Sequence, residues 1–173
     1  MPEQANRTEE TETITVQTSR FGEVKVPVSQ VIHFPQGLLG FPVDRYFVLL
    51  RHRRDSPFLW LQSLANPHLA FVITSPMQIV PEYQVKLTNE DRQDLDPAGD
   101  DPLLTYALVT IPRGNPAAMT MNLIGPLVVN GRTRVGKQVV LSDSTYSHRQ
   151  PVLAVTRAES PAAPESAGMA APP

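Results

Sequence analysis

Apolar residues along this chain recur at two-residue spacing in short runs. Val24 with Val26, Tyr83 with Val85 and Leu87, and Met119 with Met121 and Leu123 each put apolar groups on one face of an extended segment and polar groups on the other. Phe71-Val72-Ile73 is apolar on both faces, which predicts a central strand. Runs with strand character cover 14–17, 23–26, 31–34, 46–50, 58–62, 70–74, 83–87, 104–111, 119–123, 127–130 and 138–141. Prolines, 18 in all, punctuate the chain between them and leave no room for long helices. One short helix is predicted over 89–95, with Thr88 as N-cap, Asp91 placed for a capping box and Asp96-Pro97 closing it. The fold class that follows is mainly β: a small antiparallel, barrel-like domain of about ten short strands with one short helix.

Composition divides the chain. Its 173 residues are 41% hydrophobic and 18% charged, which suits one domain with a real core. The first thirteen residues carry Glu3, Glu9, Glu10 and Glu12, and residues 157–173 hold six Ala and four Pro. Neither end has apolar surface enough to offset the entropy of ordering. The expected organisation is a flexible acidic extension over 1–13, a β domain over 14–153 and a disordered Ala/Pro-rich tail over 154–173. The start lacks the basic and apolar regions of a secretory signal, and no run of 18 apolar residues predicts a membrane span.

Chemistry narrows the function. The chain has no Cys, so thiol catalysis and Cys-ligated metal are excluded. His33, His52, His68 and His148 lack metal-ligand spacing, and no nucleophile elbow, P-loop or dinucleotide fingerprint is present. No cofactor is implied. Asp100-Asp101 lie between Gly99 and Pro102 and read as a turn. Basic residues 131–137 read as a hairpin tip joining two strands. Six acids over 90–101, against only Arg92, read as a solvated face or a helix start, or as a surface that steers a basic partner. The loop 37–42 is apolar and framed by Gly and Pro. It either plugs the barrel end or presents a hydrophobic contact, with Leu38 expected outward and Phe41 inward.

Several segments, in order, carry a specific resemblance. They are Arg20-Phe21-Gly22-Glu23-Val24; Ile32-His33-Phe34-Pro35-Gln36-Gly37-Leu38 with Gly40-Phe41; and Ser56-Pro57-Phe58-Leu59-Trp60-Leu61-Gln62-Ser63. They continue through Leu69-Ala70-Phe71-Val72-Ile73-Thr74, Val109-Thr110-Ile111-Pro112, Met119 to Leu123, Pro126 to Asn130, and Gly136 to Leu141. Over about Thr18 to Pro151 the chain resembles the FliW flagellar assembly factors. It departs from the family pattern at Leu39, where Pro is typical, at Ser75-Pro76-Met77, at Gly125, and in a loosened closing motif around His148.

The resemblance implies a cytoplasmic, barrel-like β protein that regulates by binding and has no enzymatic activity. It implies two partners, the RNA-binding translational regulator CsrA and flagellin. Flagellin occupies the factor until export, after which the factor captures CsrA and relieves repression of flagellin translation. The antagonism implied is allosteric, away from the RNA-binding face. No direct nucleic acid and no membrane are expected as partners, and the free protein is expected to be a monomer. Gln36, Leu38 and Phe41 on the apolar loop, with Asn122, Asn130, Lys137 and Gln138 in the later motifs, are the candidate partner-binding residues. The alternative is a nucleic-acid-binding β-barrel using Arg132, Arg134 and Lys137, weakened by only three lysines, an acidic segment and few aromatics.

Overall fold

The structure, a computed structural model, describes residues 11–152 apart from Pro97 and Asp143. The expected tail over 154–173, and the extension up to residue 10, lie outside the described residues. Among the described residues eleven strands and one α-helix follow one another: β1 (Thr13–Thr18), β2 (Gly22–Pro27), β3 (Ile32–His33), β4 (Tyr46–Leu50), β5 (Phe58–Ser63), β6 (Ala70–Thr74), α1 (Asn89–Leu95), β7 (Leu103–Thr110), β8 (Thr120–Met121), β9 (Leu127–Asn130), β10 (Gly136–Gln138) and β11 (Gln150–Pro151). Every strand pairing is antiparallel.

β1 and β2 form a separate hairpin. The remaining strands run β10-β9-β7-β6-β5-β4-β3, with β8 on β7 and β11 on β8. Eight-residue β7 is long enough to serve three neighbours: Leu103–Tyr106 pair with β9, Ala107–Thr110 include the pairings to β6 and β8. The sheet curls without closing. Its two ends meet at a single parallel bridge, His33 with Val135, where the His33 N–H donates to the Arg134 carbonyl at 2.9 Å.

Strand alternation decides which core each residue joins. Phe71 and Ile73 pack with Leu108, Leu127, Val129, Phe47 and Phe34 inside the curl, whereas intervening Val72, Ala107, Val109 and Val128 face a second core with Met121, Leu123 and Leu95. The sheet is therefore buried on both sides, as the doubly apolar run 71–73 requires. A third cluster lies where the β1–β2 hairpin covers β4: Val16 and Val26 meet Val48 and Leu50.

Sequence periodicity misled at one segment. Residues 83–87 alternate inward and outward as predicted, but they form no strand. Tyr83 is anchored by its hydroxyl, which donates to the Leu123 carbonyl at 2.8 Å, and by Tyr146, whose ring lies 4.6 Å away. The segment covers the second core without pairing to a neighbour, and period two reports one-sided burial whether or not a ladder forms. The expected strand over 138–141 is shifted to Gly136–Gln138, and β11 had no sequence signal of its own. Helix α1 matches its predicted bounds, and the capping box is present: the Thr88 hydroxyl accepts from the Asp91 N–H, and the Asp91 carboxylate accepts from the Thr88 N–H.

Candidate functional site

The apolar loop is built by two glycines. Gly37 has φ +67°, and a Cβ there would lie 2.5 Å from the Phe41 carbonyl oxygen, so no side chain fits. Gly40, at φ +84°, is the third residue of a tight turn in which Leu38 and Phe41 exchange backbone hydrogen bonds of 3.2 and 2.7 Å.

That pairing fixes both side chains together, because cross-strand partners point to one face. Leu38 is only 3% exposed and packs among Ile32, Phe34 and Phe47, correcting the expectation that it points outward. Phe41 is inward as expected, half-buried and edge-on to Phe71 at 5.1 Å. What the loop turns outward is Leu39, 58% exposed at the turn, and Val43, 83% exposed just beyond it. Tyr46, at the start of β4, is also exposed and stacks on His33 at 4.6 Å. Gln36 is also exposed. Sequence reasoning missed Leu39 and Val43. The signal was the Leu39-Gly40 dipeptide, which marks the turn centre and so the tip.

Gln138 ties the loop to the body. Its Oε1 accepts from the Leu39 N–H at 2.9 Å and its Nε2 donates to the Gly125 carbonyl at 3.1 Å. Asn122 holds that same turn, its Oδ1 accepting from the N–H groups of Ile124 and Gly125. Five of the seven candidates, Gln36, Leu38, Phe41, Asn122 and Gln138, therefore belong to one end of the molecule, with the last two as supports.

Asn130 and Lys137 belong to a different structure, a polar clamp between α1 and the β9–β10 hairpin. The Lys137 ammonium is 2.8 Å from both Asp91 and Asp94. Buried Asn130 donates to the Leu95 carbonyl and to Asp101, and its Oδ1 accepts from the N–H groups of Arg132 and Thr133. Asp101 also takes a forked contact from Arg132, with Nη2 at 2.8 Å. Burial pushes the Asp91 carboxyl up, but hydrogen bonds from Lys137 and Thr88 outweigh it and hold the group below the ordinary carboxylate range. The hydrogen bonds from Arg132, then from Asn130, lower Asp101. The acidic run is thus partly consumed inside the fold. The basic residues of the nucleic-acid alternative have partners as well: Arg132, although exposed, and Lys137 are ion-paired, and Arg134, at φ +61°, donates to the Gln30 carbonyl at 3.2 Å.

Among the described residues no group of three or more His, Cys, Asp or Glu is placed to hold a metal ion, and no helix is long and apolar enough to cross a membrane. What the geometry offers is a rigid apolar rim on a well-anchored loop.

Comparisons with known proteins agree on one family. A family model described as "FliW protein" matches residues 15–152. The chain is similar to a flagellar assembly factor FliW of Geobacter sulfurreducens, 40% identical over 138 residues that cover 80% of this chain and 86% of that one. It is 38% identical to the Magnetococcus marinus protein of the same description, covering 80% and 84%. Its fold is similar to a crystal structure of the flagellar assembly factor FliW, with TM-score 0.73, 30% identity, and coverage of 80% of this chain and 96% of that one.

Proposed function

Because the chain belongs to the FliW family of flagellar assembly factors, we propose that it works in the cytoplasm as a binding protein with two exclusive partners. It captures CsrA and so relieves repression of flagellin translation, and it binds flagellin, which releases CsrA. The observation that carries this reading is the exposed rim of Leu39 and Val43 on a loop whose inner residues Leu38 and Phe41 are fixed in the core. A contact held rigid in advance loses little entropy on binding, and apolar groups at its centre supply the driving force. The antagonism is allosteric, so linkage requires that the chain bind RNA-free CsrA more tightly than RNA-bound CsrA.

A gel-shift assay tests it. CsrA retards a flagellin-leader RNA; addition of the chain should release the RNA, and further addition of flagellin should restore the retarded band. The chain alone should leave the RNA unshifted, because Arg132 and Lys137 are already ion-paired. A shift by the chain alone would favour the nucleic-acid alternative, and failure to release the RNA would refute CsrA antagonism.

A further inference from the structure

The turn between β1 and β2 holds Arg20, whose guanidinium has no hydrogen-bond partner among the described residues. The Arg20 guanidinium lies 4.6 Å over the ring of Trp60. Its three nitrogens are shielded from solvent, and none has a hydrogen-bond partner among the described residues. A guanidinium carries five N–H donors in a fixed fork, and a shielded fork with none of them satisfied is unfavourable. Burial alone lowers its proton affinity from the ordinary arginine value. The stack on Trp60 accounts for one face of the cation but for none of its N–H groups. The acids of these ion pairs are engaged elsewhere: Asp91 and Asp94 with Lys137, Asp101 with Arg132, Asp55 with Arg53.

The surroundings are basic. Leu50 lies opposite Trp60 in the β4–β5 ladder, so the connection carrying Arg51, His52, Arg53 and Arg54, with Asp55 against Arg53, leaves the sheet beside that ring with a net positive charge. Phe21 meets Trp60 edge-on at 6.1 Å, and exposed His52 rests on Phe21 at 5.8 Å. The place therefore combines an arginine fork held by an aromatic platform with a positively charged, exposed approach. A planar bidentate acceptor matches the fork, and an excess of positive charge draws an acidic ligand toward it.

We propose that Arg20 is the receptor for a carboxylate presented by an acidic segment of a protein partner. The carboxylate takes the in-plane N–H edge of the guanidinium while Trp60 keeps its face. Entry displaces the side chains that shield the fork, and the 51–54 connection supplies the outer charge. The site is separate from the 36–43 loop and does not depend on the identity of the partners above.

Trp60 is the chain's one tryptophan and reports directly on the cation stacked upon it. The full chain is titrated with an end-blocked hexaglutamate peptide, followed by Trp60 fluorescence and by calorimetry. A saturable change is expected with hexaglutamate and none with hexaglutamine. Arg20→Lys, which keeps the charge but loses the fork, should weaken binding at least about tenfold. Arg20→Met should abolish it while melting at or above the parent temperature, since it removes an unsatisfied shielded charge. Binding that persists in Arg20→Met would overturn the proposal. So would a response equalled by inorganic phosphate, or an Arg20→Met protein that melts far below the parent, which would mark the residue as structural.

Discussion

Adjacent residues in the 36–43 loop have opposite duties, and single substitutions separate them. Leu38 is enclosed by core residues, so Leu38→Ala should cost about 2–5 kcal/mol of stability, read from chemical denaturation. Leu39 is exposed, so Leu39→Ala should leave the melting curve within about 0.5 kcal/mol of the parent. It should weaken a partner by about 1–3 kcal/mol if the rim is the contact. Equal loss of stability in both variants would contradict the assigned geometry. Gly37→Ala should be far more damaging than Gly125→Ala. The first brings a Cβ to 2.5 Å from backbone at positive φ, whereas the second meets only amide side-chain atoms of Asn122 and Gln138 at 3.2 Å. That the loop matters was readable from its glycines and prolines. Which leucine faces out was not, because it depends on where the two-residue turn is centred, and one step of register exchanges the faces.

At the scale of elements, α1 shows what local chemistry can specify. Its N-cap, capping box and end are all set within a few residues, so the sequence predicts its bounds. The segment 83–87 shows the limit, since its burial pattern was legible but the missing ladder depends on a distant neighbour, Leu123. The clamp that fastens α1 to β10 was equally hidden: Lys137 is 43 residues from Asp94 in sequence. It makes a pH prediction. Asp91 is held below its ordinary value of 3.8, so its contribution is present above that value and lost as pH falls through the lowered one. Lys137 is raised above 10.5 by its bonds to Asp91 and then Asp94, so its contribution is present below that value and lost only at strongly alkaline pH. Lys137→Met should therefore destabilise the protein by about 1–3 kcal/mol at neutral pH. The gap between variant and parent should narrow below about pH 4, as Asp91 protonates. Denaturant midpoints measured from pH 7 to pH 3 check this, and a gap independent of pH would contradict the clamp.

For the whole molecule, the number of strands and their antiparallel pairing follow from short alternating runs and frequent prolines. The order of the strands does not, since one strand, β7, pairs with β6, β8 and β9, and β11 is two residues long. Composition also predicts that the body folds by itself. Residues 1–13 and 157–173 hold almost no large apolar side chains, which places the body at 14–156; because β1 begins at Thr13, the cut is best made at 11–156, and that chain should melt cooperatively at the temperature of the full chain. A drop of several degrees would show that an end packs on the body.

On the proposed function, this flagellar assembly factor meets its protein partners through the rim of the 36–43 loop. Calorimetric titration of CsrA, and separately of flagellin, into the parent and into a Leu39→Asp/Val43→Asp variant tests it most directly. The parent is expected to bind at micromolar or tighter affinity, and at least one partner to be weakened about tenfold or more in a variant that melts like the parent. Binding of both partners undiminished in that variant, or binding of neither to the parent, would contradict it.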